Sequence, residues 1–152
     1  MTPDEAIARI REARVGRLAT VRPDGSPHVV PFVFATVGDE NDLLTYWAVD
    51  AKPKKGDTIQ RIENIEAKPA VEYVVDGYDE DWAGLWWVRV TGRARVVSSE
   101  DERARALTAL ADKYPQYGAS PPAGTVIAID VDRVTGWSAI DPSSAGRQGG
   151  EP

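Results

Sequence analysis

Apolar residues along the chain fall into runs whose spacing switches between the helix and strand periods. Ala6, Ile7 and Ile10 form a short helical stripe behind Thr2-Pro3-Asp4-Glu5. That tetrapeptide reads as a capping box, with Thr2 as N-cap, proline at the first helical position and Glu5 reaching back. The pattern predicts a helix that ends near Val15-Gly16. Residues 16–21 then read as a strand, and Arg22-Pro23-Asp24-Gly25 supplies the chemistry of a tight reversal. From residue 28 to residue 37 the apolarity is nearly continuous, which predicts one strand covered on both faces. A turn at residues 38–42 leads to a third strand at residues 43–49, and three antiparallel strands in meander order are the simplest arrangement.

The period changes at residues 53–66, where Ile59, Ile62 and Ile65 fall three apart and predict a helix with one buried edge, ended by Lys68-Pro69. Residues 70–75 and 85–97 read as two more strands, the second long enough to bend across a barrel. Ser99-Glu100-Asp101-Glu102 repeats the capping signature, and Leu107 and Leu110 edge a helix that ends near Tyr114-Pro115. A loop at residues 115–124 leads into a sixth strand at residues 125–131, with residues 134–140 as a short edge. Beyond Asp141, Pro, Ser, Gly and Gln dominate, which predicts a domain over residues 1–140 and a disordered C-terminal tail over 141–152. The order of elements does not alternate as βαβ units do. It predicts a mainly β fold with peripheral helices, a six-stranded antiparallel barrel, closed or split.

Composition narrows the chemistry. The 152 residues suffice for one domain with its own core. With no cysteine, the chain builds no disulfide, thiolate nucleophile or iron–sulfur site, and with one histidine, His28, it builds no histidine-rich metal site. No metal site is expected. A net charge of -6 argues against sequence-independent nucleic-acid binding. The acidic N-terminal segment lacks the form of a signal peptide, and no apolar stretch approaches the ~20 residues of a membrane span. The expectation is a soluble cytoplasmic protein with neither nucleic acid nor membrane as partner.

Lys52-Pro53-Lys54-Lys55-Gly56 places three lysines within four positions directly after a strand. Such a cluster suits phosphate or carboxylates beside the start of a helix, although spacing alone is also that of a solvated loop. Five tryptophans offer flat faces for a planar heterocycle, or filling for a core or dimer interface. Trp86 and Trp87 are adjacent on a strand and so point to opposite faces, which lets one fill the core while the other meets a ligand. The acids Asp76, Asp79, Glu80 and Asp81 lack calcium-loop spacing, and no glycine-rich phosphate motif is present.

The order Gly16-Arg17-Leu18-Ala19-Thr20-Val21, Pro23-Asp24-Gly25-Ser26-Pro27-His28-Val29-Val30-Pro31 and Lys52-Pro53-Lys54-Lys55 resembles the pyridoxamine 5'-phosphate oxidase-like family. Tyr78-Asp79-Glu80-Asp81-Trp82, Leu85-Trp86-Trp87-Val88-Arg89-Val90 and Gly92-Arg93-Ala94 are similar to its actinobacterial branch that uses the deazaflavin coenzyme F420. The resemblance implies a split β-barrel of the flavin-reductase and FMN-binding type, and a homodimer whose cofactor sites lie at the subunit interface and draw on both chains. It places the cofactor ring against His28, Val30 and Pro31 and against Ala48 and Val49, its anionic tail on Lys52, Lys54 and Lys55, and Trp87 as the aromatic contact. The implied reaction is hydride transfer between F420 and a small unsaturated organic substrate. An FMN-dependent oxidoreductase and a non-catalytic F420 carrier are the alternatives. No catalytic acid is evident; His28, a tyrosine or solvent would have to serve. The segment between the lysines and Lys68-Pro69 is longer than in the family, so Arg61 is left out of the site.

Overall fold

The computed structural model describes residues 1–49 and 57–140. Its elements are α1 (Pro3–Glu12), β1 (Gly16–Val21), β2 (Pro27–Phe32), β3 (Ala35–Val37), β4 (Leu44–Ala48), α2 (Asp57–Ala67), β5 (Ala70–Gly77), β6 (Trp86–Val96), α3 (Glu100–Lys113), α4 (Pro115–Ala119) and β7 (Val126–Ser138), with a 3-10 turn at Trp82–Gly84 before β6. The strands form one antiparallel sheet in the order β2-β1-β5-β6-β7-β4-β3. Its two edge strands, β2 and β3, are consecutive in the chain and separated only by Val33 and Phe34. A linker that short requires the sheet to curl until its edges approach, which makes a barrel split between β2 and β3. At that seam the rings of Phe32 and Phe34 stack 4.8 Å apart, and Tyr73 packs 5.2 Å from each.

The meander expected for the first three strands does not form. Residues 28–37 divide into β2 and β3, which lie at opposite edges of the sheet. The break has a physical cause: the Tyr114 hydroxyl, from the end of α3, accepts from the Phe34 N–H at 3.2 Å, taking a backbone group that a continuous strand would pair elsewhere. Nor is β2 covered on both faces; it alternates, with His28, Val30 and Phe32 buried and Pro27, Val29 and Pro31 exposed. Residues 126–138 make one strand rather than a strand and a short edge, and the division of residues 28–37 gives the sheet seven strands instead of six. The loop expected at residues 115–124 contains the short helix α4. α1 stops at Glu12, earlier than expected, while its capping box forms as read: Glu5 N–H donates to Thr2 Oγ1 and Thr2 N–H to Glu5. The proposed tail, residues 141–152, lies outside the described residues.

The main core draws on the inner face of every strand except the short β3, and includes Leu18, Phe32, Trp47, Val71, Tyr73, Val88, Val90 and Ile129. α2 adds Ile65 and Ile62, as their threefold spacing requires. On the other side of β4 and β7, α3 packs Ala106 against Tyr46, Val126 and Ala128. Ser99 caps α3 by accepting from Glu102 N–H. The Glu102 side chain does not return to close the box. It receives both terminal nitrogens of Arg95, at 2.5 and 3.0 Å, and the Tyr46 hydroxyl at 3.2 Å, tying the first turn of α3 to β6 and β4. Its carboxyl is held below the usual range chiefly by the hydrogen bonds from Arg95.

At the far end of α3, the Lys113 ammonium lies 4.1 Å from the Phe34 ring centroid and 5.3 Å from that of Tyr114. Burial, with the charge of Arg14 as a lesser cause, pushes it down to about 8. The unfolded chain therefore holds this proton between about pH 8 and the ordinary lysine value near 10.4 while the folded chain releases it, so stability rises with pH across that window. Urea denaturation of wild type and Lys113→Met should show their stability difference constant below about pH 7 and moving in favour of wild type from about pH 8 to 10. A difference that stays constant to pH 10 contradicts the assignment.

Candidate functional site

Strand alternation decides where the expected site residues go. His28 and Val30 face the barrel interior, each 6% exposed, while Pro31 faces outward. Val49, just past β4, is buried in the main core with Trp47, whereas Ala48 packs toward α3. Trp87 is half-buried on the outer face, with the Arg89 guanidinium 5.4 Å from its ring centroid. Lys52, Lys54 and Lys55 lie outside the described residues. The expected set thus divides into an inner group and an outer group on opposite sides of one sheet. His28 and Pro31, three apart on a strand, cannot share a face.

The outer face is more apolar than a solvated sheet surface needs to be. Val29 is 62% exposed, beside the exposed Pro31. Across the sheet Ala19 stands opposite Val29, Val74 opposite Arg17, and Trp87 opposite Trp137. Charge enters as the Arg17–Asp76 pair, 3.7 Å apart and half-exposed, and as Glu72, which accepts from the Thr91 hydroxyl at 3.0 Å.

The inner group meets a polar junction that the sequence reading did not single out. Thr20, His28, Thr45 and Asn64 are the buried polar residues among those described. Thr20 stands opposite His28 in the β1–β2 register. Asn64, on α2 and 0% exposed, donates from Nδ2 to Thr20 Oγ1 at 2.9 Å and accepts from Gln60 Nε2 at 2.7 Å. One turn earlier on α2, the Arg61 guanidinium lies 4.7 Å from the ring centroid of Trp47. Trp47 is 2% exposed, and its indole N–H has no hydrogen-bond acceptor among the described residues. A buried donor left without an acceptor is costly and marks a place where a ligand atom can serve. Thr45 bonds instead within the core, to the hydroxyl of Tyr73 at 2.8 Å, and burial pushes that phenol up to about 12.

The signal for this junction was present in the sequence. Thr20 occupies an inward position of β1, two residues past Leu18, and Asn64 interrupts the apolar edge of α2 between Ile62 and Ile65. Two polar residues at core positions of neighbouring elements are candidates to bond each other. Thr20→Val leaves the Asn64 N–H unpaired and should cost about 1–3 kcal/mol. The double variant Thr20→Val/Asn64→Leu should cost less than the two single changes added together. A double-mutant cycle by urea denaturation checks this, and a coupling near zero means that the bond does not fasten α2.

Comparison with known proteins agrees with this architecture. No curated protein matches the chain. Among solved structures, a conserved hypothetical protein from Mycobacterium tuberculosis is 20% identical, with a TM-score of 0.72 over 99% of this chain and 93% of that one. An FAD-binding protein from Mycobacterium smegmatis is also 20% identical, with a TM-score of 0.65 over 90% of this chain and 94% of its own. An FAD-binding protein from Mesorhizobium loti is 24% identical, with a TM-score of 0.61 over 90% and 94%. At these identities the likeness is one of fold. No helix among the described residues is long and apolar enough to cross a membrane. The profile of the pyridoxamine 5'-phosphate oxidase family matches residues 2–138, nearly the whole described chain, and the protein belongs to that family.

Proposed function

We propose that this protein is an oxidoreductase that binds coenzyme F420 and transfers hydride between it and a small unsaturated organic substrate. The observation that carries the reading is Trp47: a buried indole N–H without an acceptor among the described residues, a guanidinium over its ring, and a position five residues before Lys52. A planar cofactor with carbonyl oxygens and an anionic tail matches that donor set. Trp47 donates to a ring oxygen, Arg61 supplies positive charge beside it, and Lys52, Lys54 and Lys55 hold the tail. When bound, the deazaflavin supplies the hydride chemistry, and the protein orients it and excludes water. Val30 and Val49 give the inner end of the site an apolar floor, and His28 stands on the same inner face.

The outer group has its place if the protein is a homodimer. A second copy set against Val29, Pro31, Trp87 and Trp137 covers the apolar outer face, and each chain then contributes to the other's site. A flavin in place of F420 is the second reading, favoured by the two structural neighbours named as FAD-binding proteins. The three lysines favour the longer, more anionic tail of F420. A carrier without catalysis uses the same tail groove but leaves no space for substrate beside the ring.

Titration with F420, FMN and FAD, followed by quenching of ring fluorescence at low and moderate salt, tests the cofactor. F420 should bind at micromolar concentration or below, weaken with salt, and lose about tenfold or more on Lys54→Glu/Lys55→Glu. Preference for FMN or FAD selects the flavin reading, and no binding of any of the three overturns both. In sedimentation, the wild type should run as a dimer and Val29→Asp as a monomer with weakened cofactor binding. A monomeric wild type contradicts the two-chain site.

A further inference from the structure

At the other end of the β6–β7 ladder from this junction lies a cleft of about 690 Å³, between α1, the 3-10 turn and the paired ends Trp86 and Ser138. Its volume is that of a small-molecule site. We infer that this cleft is a second binding site, for a small planar aromatic carboxylate, with Arg9 as the carboxylate partner and Trp86 as its platform. The inference does not depend on the cofactor reading.

Trp86 is firmly seated. A Cβ on Gly77, its partner across β5, would run into the indole nitrogen, so the ring lies directly on that backbone. The Arg9 guanidinium lies 4.4 Å from the centroid of the Trp86 ring. A guanidinium stacked on an aromatic face keeps its N–H donors free at its edge, where a carboxylate can accept two of them. No carboxylate within the described residues takes that place: Arg9 makes no ion pair there, and Glu5, one turn earlier on α1, is engaged with the Thr2 N–H at 2.7 Å. That hydrogen bond is the chief cause that holds the Glu5 carboxyl below its usual range, with the charge of Arg9 a lesser one, so Glu5 caps the helix and attracts Arg9 only weakly, without pairing with it.

The remaining walls are mixed: Thr2, Glu5 and Ser138 are polar, and the others are apolar or small. Leu85 and Met1 line the cleft with Ile140, which is 72% exposed. Beside them Trp82, in the 3-10 turn, is 64% exposed. Ile140 and Trp82, left in water near Arg9, suit a ligand that is apolar over its body and anionic at one end. A dianionic ligand would set its second charge toward Glu5, which also lines the cleft.

The probe is 2-naphthoate, with 2-naphthalenemethanol as its neutral counterpart, titrated into the full chain by calorimetry. The indole resonance of Trp86, assigned through Trp86→Phe, is followed in parallel by NMR. Naphthoate should bind saturably at submillimolar concentration and shift the Trp86 resonance. The alcohol, and naphthoate with Arg9→Gln, should each bind about tenfold more weakly, while thermal unfolding shows that Arg9→Gln remains folded. Arg9→Lys, which keeps the charge but loses the planar fork, should fall between. Absence of saturable binding to about 10 mM overturns the inference. So does equal affinity for acid and alcohol, undiminished binding by Arg9→Gln, or a shift confined to Trp47.

Discussion

A Cβ at Gly92 would lie 2.5 Å from the carbonyl oxygen of Asp130, closer than any side chain tolerates, and the long β6–β7 ladder bends there. Pairing steps from Thr91 opposite Arg133 to Gly92 opposite Val131, leaving Asp132 as the extra residue of a bulge. Bulges increase local twist and turn a strand toward a new direction. Because β6 and β7 continue through the bend, β5 and β1 attach on one side and β4 and β3 on the other, and the sheet curls until β2 and β3 meet at its seam. α2 then has one side against β1 and places Arg61 over Trp47 of β4, elements that share no ladder.

What holds α2 in that gap is chemically demanding. Apolar contacts through Ile62 and Ile65 are non-directional and would allow the helix to slide. The Asn64–Thr20 hydrogen bond is directional and joins two buried side chains, so a lost partner costs more than the bond itself contributes. It therefore fixes the register of α2 against β1, and Arg61, three residues earlier, inherits that register. The helix that carries the guanidinium is also the one that directly follows the lysine segment in sequence.

Much of the fold was legible because burial imposes clear periods. The period gives β1 to the residue, β5, β6 and α3 within a few residues, and the end of α2, whose expected start at residue 53 lies outside the described residues. The reading failed where a distant partner intervened. Residues 28–37 look like one strand until the Tyr114 hydroxyl claims the Phe34 backbone from 80 positions away, and nothing local encodes that contact. Glu102 has the spacing of a capping box, yet Arg95 and Tyr46 compete for its carboxylate with a stronger, partly buried arrangement. Site residues divide the same way. Lys52, Lys54 and Lys55 are conspicuous as a run of charge, whereas Trp47 looks like core, and only the three-dimensional arrangement reveals its N–H without an acceptor among the described residues. Period two separates His28 from Pro31, as it separates any residues three apart on a strand.

In the proposed function the cofactor is held at the junction of β1, β4 and α2. The ¹H–¹⁵N spectrum of the tryptophan indoles tests this directly, since each of the five tryptophans gives one resonance and Trp47→Phe identifies the one that matters. On addition of F420, or of the flavin that binds in its place, the Trp47 indole proton should move downfield as it acquires an acceptor. A Trp47 resonance that stays in place while the cofactor is bound would put the cofactor elsewhere and contradict the account.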